Sequence, residues 1–363
     1  MEQQMENRPG LNEKSGLFML IGLMGVGFVV GGFLSFFVWK LMTGQGMADM
    51  QLSMSNPAFA NQVRVTQTLL SLFIFLFPAL LTARIINTKP LQLLGFSGKS
   101  SWKTYGMAII IMLIMIVIAG SLSTINEMIP VTPAMKLYFT AMEDKYMQQV
   151  EVMSQMKGIP DLLVSLVVMA FVPALVEEVF FRGGFQNLMH RSTGNMWVSI
   201  IVTSLLFSAI HFSFYGFFAR TALGIVLGLL FATSQNIWVP ILAHFVNNAI
   251  AVGQVYYLRS TGQSLAESMD DTFPLWWGLF AIAFFFFAYK RFEFRLEDAQ
   301  FIVPAFDQTV QSVVGGSHFI QSDHCIVKLF LNSVPGRIQC CILCILLIDD
   351  CSGLALGIHK IDP

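Results

Sequence analysis

Two adjacent carboxylates and a guanidinium, Glu177, Glu178 and Arg182, stand inside a run that is otherwise apolar enough to be buried in a membrane. Charges at hydrocarbon depth cost a few kcal/mol each and persist where they pair, face a cavity or do chemistry. On a helix Glu178 and Arg182 are one turn apart and can pair, whereas Glu177 projects about 100° away, toward a different neighbour. Three further polar residues follow in apolar surroundings: His211, four residues after Phe207, and His244 with Asn248, also four apart. A carboxylate kept from water beside a second carboxylate holds its proton more readily, which suits a general base near neutral pH. Glu177 with His211 can then orient and deprotonate a water, while His244 and Asn248 donate hydrogen bonds to a developing oxyanion. That chemistry is hydrolysis of an amide.

The same donors allow a second arrangement, in which His211, His244 and Glu177 hold zinc and the metal activates the water. No HExxH pair favours it, so the expectation is a site that needs no cofactor. Ser204, Ser208 and Ser213 lie near His211 but have no context that marks a nucleophile.

The ordered trio of EExxxR (Glu177, Glu178, Arg182), FxxxH (Phe207, His211) and HxxxN (His244, Asn248) resembles the signature of the CAAX prenyl protease and bacteriocin-processing family, intramembrane proteases related to the type II CAAX endopeptidase. The resemblance covers about Pro160 to Ala251. It implies an eight-helix body, Glu177 and His211 as the water-activating pair, His244 and Asn248 as the oxyanion site, and Glu178 with Arg182 in support. It also implies a membrane-associated peptide or protein as substrate and a bacterial cytoplasmic membrane as location.

The elements that must position these residues read as membrane helices. Of 363 residues, 55% are hydrophobic and only 12% are charged, with 34 Phe and 21 Met. Mean hydropathy is +0.67. A soluble domain carries about 25% charged residues, so the expected class is an all-α polytopic membrane protein whose partner is the lipid bilayer. With a net charge of −1 and no basic block, nucleic acid is not an expected partner.

Eight spans are predicted: Leu17 to Met42, Val65 to Ile86, Tyr105 to Ile125, Asp161 to His190, Met196 to Phe212, Tyr215 to Thr233, Ile237 to Tyr257 and Phe273 to Tyr289. Gly22, Gly25 and Gly27 read as a close-packing face of the first span, and Gly224 with Gly228 as another on the sixth. Pro173 predicts a kink just before the acidic pair. Arg84, Lys89, Lys99 and Lys103 share one connection, which the positive-inside rule puts in the cytoplasm, so eight spans leave both termini there. At ~1.5 Å per residue, Glu177 and His211 come to lie 20–25 Å from the turn at 191–195 on antiparallel neighbours. The same reckoning puts His244 and Asn248 nearer the cytoplasm than Glu177. The long connection from Glu127 to Pro160 reads as a solvated interfacial connector rather than a lid.

The expected organisation is a polar segment 1–16, a membrane domain 17–295 with the protease-like motifs at 160–251, and a tail 296–363. All five cysteines, Cys325, Cys340, Cys341, Cys344 and Cys351, fall in the tail. Cys341 and Cys344 with His318 and His324 match no regular zinc module. Two non-enzymatic classes remain beside the peptidase: a scaffold or immunity protein with the polar cluster kept as a knot, and a proton-coupled transporter using the Glu and His as a relay.

Overall fold

The computed structural model describes residues 12–263 and 275–293. The polar start of the chain and the cysteine-bearing tail lie outside the described residues. What is described is helical, with α1 Glu13–Thr43, α2 Met47–Ser53, α3 Pro57–Ile86, α4 Pro90–Leu93, α5 Trp102–Glu127, α6 Pro133–Met153, α7 Ile159–Thr193, α8 Met196–Ala209, α9 Phe217–Ser234, α10 Trp238–Thr261 and α11 Leu275–Glu293. The helix starts follow ordinary capping chemistry. Asn12, Ser101, Thr132 and Asn195 each accept a backbone N–H of the first turn of α1, α5, α6 and α8. Gly194, at a left-handed φ of 68°, ends α7 and lets Asn195 open α8 at once.

Among the described residues, six helices, α1, α3, α5, α7, α9 and α11, are long and apolar enough to cross a membrane. The all-α polytopic class therefore holds, but the expected count of eight spans does not follow. The fifth expected span ends early, since α8 has 14 residues and stops at Ala209. The seventh, α10, is long enough, but His244, Asn247, Asn248 and Gln254 dilute its apolar character. Rows of exposed Phe and Trp on α1 and α11, such as Phe18, Phe33, Trp276 and Phe287, fit surfaces that face lipid.

Of four apolar clusters among the described residues, the two largest bind most of the helices. One joins Leu20 of α1, Ala79 and Ala83 of α3, Val179 to Leu188 of α7, Phe207 of α8, Phe231 of α9 and Ile241 of α10. The other joins α5 to α9, α10 and α11 through Ile111, Met115, Leu227, Ala243 and Ala281. The expected glycine face is only partly right. A Cβ on Gly27 would run into the Phe73 backbone carbonyl, and one on Gly31 would lie 2.7 Å from Phe73 Cβ, whereas Gly22 and Gly25 meet nothing. The helix phase explains the difference: Gly27 and Gly31 are four apart and share the buried stripe of α1 with Leu20 and Ser35.

Widened π-helical turns interrupt α3 at Leu72–Leu76 and α7 at Leu166–Phe171, and each stands immediately before a proline, Pro78 and Pro173. A proline ring collides with the carbonyl four residues earlier, here Ile74 and Met169, and a wider turn relieves that collision without breaking the helix. The kink expected at Pro173 is thus absorbed upstream. A third wide turn, Val179–Gln186, follows the acidic pair with every residue buried.

Placing Leu at Gly27 should cost about 1–3 kcal/mol through overpacking. Thermal unfolding in detergent should show a lowered midpoint for Gly27→Leu and a near wild-type midpoint for Gly22→Leu.

Candidate active site

Glu178 and Arg182 are wholly buried, and Arg182 Nη1 donates to Glu178 Oε1 at 3.0 Å, the pairing expected from their spacing. A further partner joins them. His244 Nδ1 lies 2.8 Å from the same Glu178 oxygen, and its other nitrogen, Nε2, stands 4.0 Å from Glu177 Oε2. One imidazole therefore touches the paired carboxylate and faces the unpaired one. Because an ionised carboxylate only accepts, the 2.8 Å contact assigns the Nδ1 proton to His244 and turns Nε2 toward Glu177.

The rise estimate that set His244 at a different depth from Glu177 is corrected by this contact. A π turn fits more residues into each turn and advances less per residue. The eight residues of Val179–Gln186 therefore bring the carboxylates closer to the 194 turn than ~1.5 Å per residue implies.

The polar node is held from three sides. Arg182 Nη2 donates to the Gly224 carbonyl at 3.1 Å, and Gln186 Nε2, one turn further on, to the Gly228 carbonyl at 3.0 Å. Gly228 makes room for Gln186, and Gly224 lets α8 pack close beside it. A Cβ on Gly228 would lie 2.7 Å from the Gln186 side chain, and one on Gly224 3.0 Å from Ser204. On its remaining face the Arg182 guanidinium covers the Phe207 ring at 4.7 Å. Phe181, His211 and His244 meet the same ring in edge-on contacts at 5.3, 5.1 and 5.9 Å. Phe207 is therefore a shared platform for three motif residues, a role that its place in FxxxH hinted at and its apolar character hid. Gln186 and the Gly224 carbonyl were not singled out as partners from the sequence, although Arg182, Gln186, Gly224 and Gly228 form two matched i, i+4 pairs.

His211 does not lie within a helix. It falls two residues past the end of α8, in a turn where His211 N bonds Ser208 O and Phe212 takes a left-handed φ of 50°. Its Nδ1 bonds the Phe207 carbonyl at 2.7 Å. Glu177 and His211 share no direct hydrogen bond, but His211 lies within the electrostatic reach of both Glu177 and His244. Asn248 is one turn from His244. Its Oδ1 accepts from Asn247 Nδ2 at 3.1 Å, so its own NH2 remains to donate elsewhere. Ser204 and Ser208 spend their hydroxyls on the carbonyls of Ile200 and Phe217.

The connector from Glu127 to Pro160 is largely exposed, and its helix also makes side-chain contacts. Among its residues, α6 packs Phe139 flat against Phe214 (4.2 Å, 3°) and accepts a 2.7 Å hydrogen bond from Ser213 at Glu143. Tyr146, 36% exposed, turns its phenol toward Arg220 and into the field of Glu143 and Glu177. Burial of that phenol raises its pKa, with Arg220 opposing and the two carboxylates adding to the rise, so it stays protonated at neutral pH. The zinc arrangement is not assembled, for among the described residues no three His, Cys, Asp or Glu side chains are grouped to hold a metal ion. The Cys341 and Cys344 pair lies outside the described residues.

Residues 159–250 match a family model described as Rce1-like, the type II CAAX prenyl endopeptidase. That stretch is similar to this family over about a quarter of the chain. It begins with α7 and runs through Asn248, so it contains every motif residue. The chain is 29% identical over 87 residues to "Putative membrane peptidase YdiL" of Bacillus subtilis, covering 24% of this chain and 35% of that one. It is 30% identical over 105 residues to "Uncharacterized protein YpbD" of the same organism, covering 28% and 49%. It is also 30% identical over 92 residues to an "Uncharacterized 24.3 kDa protein" of Escherichia coli, covering 24% and 42%. The matches thus span between a third and a half of these relatives. No solved structure matches.

Removing one partner from a fully buried pair strands the other charge, at about 3–5 kcal/mol. Arg182→Met should therefore sharply reduce the folded fraction measured by equilibrium unfolding in mixed micelles, and Glu178→Gln with Arg182→Met should lose less than Arg182→Met alone.

Proposed function

We propose that this chain is a membrane-embedded endopeptidase that hydrolyses a peptide bond in a membrane-associated peptide or protein, using Glu177 and His211 to activate water. The observation that carries the reading is the unequal fate of two neighbouring carboxylates. Glu178 accepts from both Arg182 and His244, whereas among the described residues Glu177 is held by no such pair and is approached at 4.0 Å by His244 Nε2. A carboxylate tied to a guanidinium is a poor base, and its neighbour is left with the acid–base work. The Rce1-like match over 159–250 supports the reaction class.

In this reading Glu177 takes a proton from a water that His211 helps to orient, and the resulting hydroxide attacks the carbonyl carbon. The oxyanion is met by the Asn248 NH2 and by His244 Nε2 when that nitrogen carries a proton. Collapse breaks the C–N bond, and Glu177 returns the proton to the departing nitrogen, which closes the proton balance. Glu178 keeps the His244 ring in one orientation, and Arg182 keeps Glu178 charged. Burial among apolar helices strengthens each of these contacts. No step requires a metal.

The test is cleavage of a panel of fluorogenic and membrane-anchored peptides by purified protein in lipid nanodiscs. Glu177→Ala and His211→Ala should each lower kcat by at least ~100-fold, the scale of a lost general base, while eluting as folded protein. Equal rates for wild type and Glu177→Ala would make the polar cluster a structural knot and end the peptidase reading.

A further inference from the structure

Helix α6 is attached very differently at its two ends. Its C-terminal end is locked by Arg64 of α3, a buried side chain that donates to Met153 O at 2.8 Å, Gln155 O at 2.7 Å and Ser165 Oγ at 3.2 Å. Arg259 of α10 adds a bond to Glu151 O at 3.0 Å. Val152, at that end, is the buried residue of α6, and the rest of the helix is exposed or half-buried. Among the described residues, besides the Arg220 guanidinium 6.0 Å over the Tyr146 ring, two contacts hold the other half, the Ser213 Oγ to Glu143 Oε2 bond and the Phe139–Phe214 stack.

Both contacts fall on the turn that carries His211, two and three residues past it. That turn needs holding. Phe212, which is not glycine, takes φ 50°, a left-handed conformation that persists only where its surroundings impose it. Irregular backbone beside apolar helices is tolerated where protein covers it. Ser213 is the fixing point: it is buried, its carbonyl accepts from Arg220 Nη2 at 3.1 Å, its hydroxyl accepts from Gly216 N at 3.4 Å, and its hydroxyl proton goes to Glu143. A cavity of about 470 Å3, lined by Glu127, Pro130, Lys136 and Tyr215, opens beside the same turn at the start of α6.

We propose that Glu143 is a positioning residue for His211, acting through Ser213, so that docking of α6 completes the active site. The proposal rests on the peptidase reading for its catalytic consequence, and on the α6 contacts alone for its structural one. Glu143 has no part in the chemistry. When its bond to Ser213 is lost, the free half of α6 lifts from the turn while Arg64 and Arg259 retain the other end, and His211 loses its fixed place beside Glu177.

The experiment uses full-length protein in nanodiscs with three readouts: trypsin cleavage after Lys136 and Lys145 of α6, carbethoxylation of His211 by diethylpyrocarbonate followed by mass spectrometry, and peptide hydrolysis. Glu143→Ala and Ser213→Ala should each speed tryptic cleavage and His211 labelling several-fold. They should lower kcat by about 10–100-fold, the scale of a misplaced catalytic group, with KM changed less than about twofold. Glu143→Gln still offers an oxygen to the Ser213 hydroxyl and should restore most of all three. Wild-type cleavage and labelling in Glu143→Ala would overturn the proposal, as would Glu143→Gln behaving like Glu143→Ala. Absence of hydrolysis by wild type, with the labelling changes present, would instead count against the peptidase reading and leave the positioning intact.

Discussion

One oxygen, Glu178 Oε1, accepts from both Arg182 and His244 inside the bundle, and the arrangement around it depends on that oxygen staying charged and enclosed. A buried charge of this kind needs its partners to be held in turn. Arg182 meets part of that demand by reaching a helix carbonyl, Gly224 O, and one turn on Gly228 leaves room for the Gln186 side chain, while Arg182 Nε and Glu178 Oε2 make no hydrogen bond among the described residues. The small residues of α9 are thus part of the electrostatics of α7, and the apolar cluster around Phe181, Phe185 and Leu188 keeps water from competing for the same groups.

Fixing Glu178 fixes His244, and fixing His244 sets what Glu177 encounters. The Phe207 ring ties this node to the other histidine, since Arg182, His244 and His211 all lie against it. The wide turn Val179–Gln186 has a comparable effect through the backbone, altering the rise of α7 so that residues of three helices meet at one level. π-helical turns recur at functional sites for this reason: they re-aim side chains without ending the helix.

Much of this was legible in the sequence because charge inside an apolar run is rare and costly. Glu177, Glu178, Arg182, His211, His244 and Asn248 announced themselves by that cost, and the Glu178–Arg182 pair and the Gly224–Gly228 face followed from helix period alone. What was not legible depends on tertiary geometry. Helix period cannot tell that Gly27 packs while Gly22 faces outward until the partner helix is known. Uniform rise misjudged the depth of His244 because π turns leave no clear mark on composition. The early end of α8 hid His211 in a turn, and α6, whose Met, Glu and Tyr mixture reads as an ordinary interfacial helix, gave no sign that Glu143 reaches a serine seventy residues away.

The most direct measurement is a double-mutant cycle on Glu178 and His244, combining Glu178→Gln, His244→Ala and the pair, with unfolding free energy read by equilibrium titration in mixed micelles and peptide hydrolysis read in parallel. Groups sharing one buried network couple by about 0.5–3 kcal/mol, whereas independent sites add within about 0.3–0.5 kcal/mol. Coupling of at least ~1 kcal/mol in stability, with the second substitution costing little further activity once the first is present, is the expected result. Additive losses in both quantities would contradict the account, because they would mean that Glu178 does not hold His244 in place.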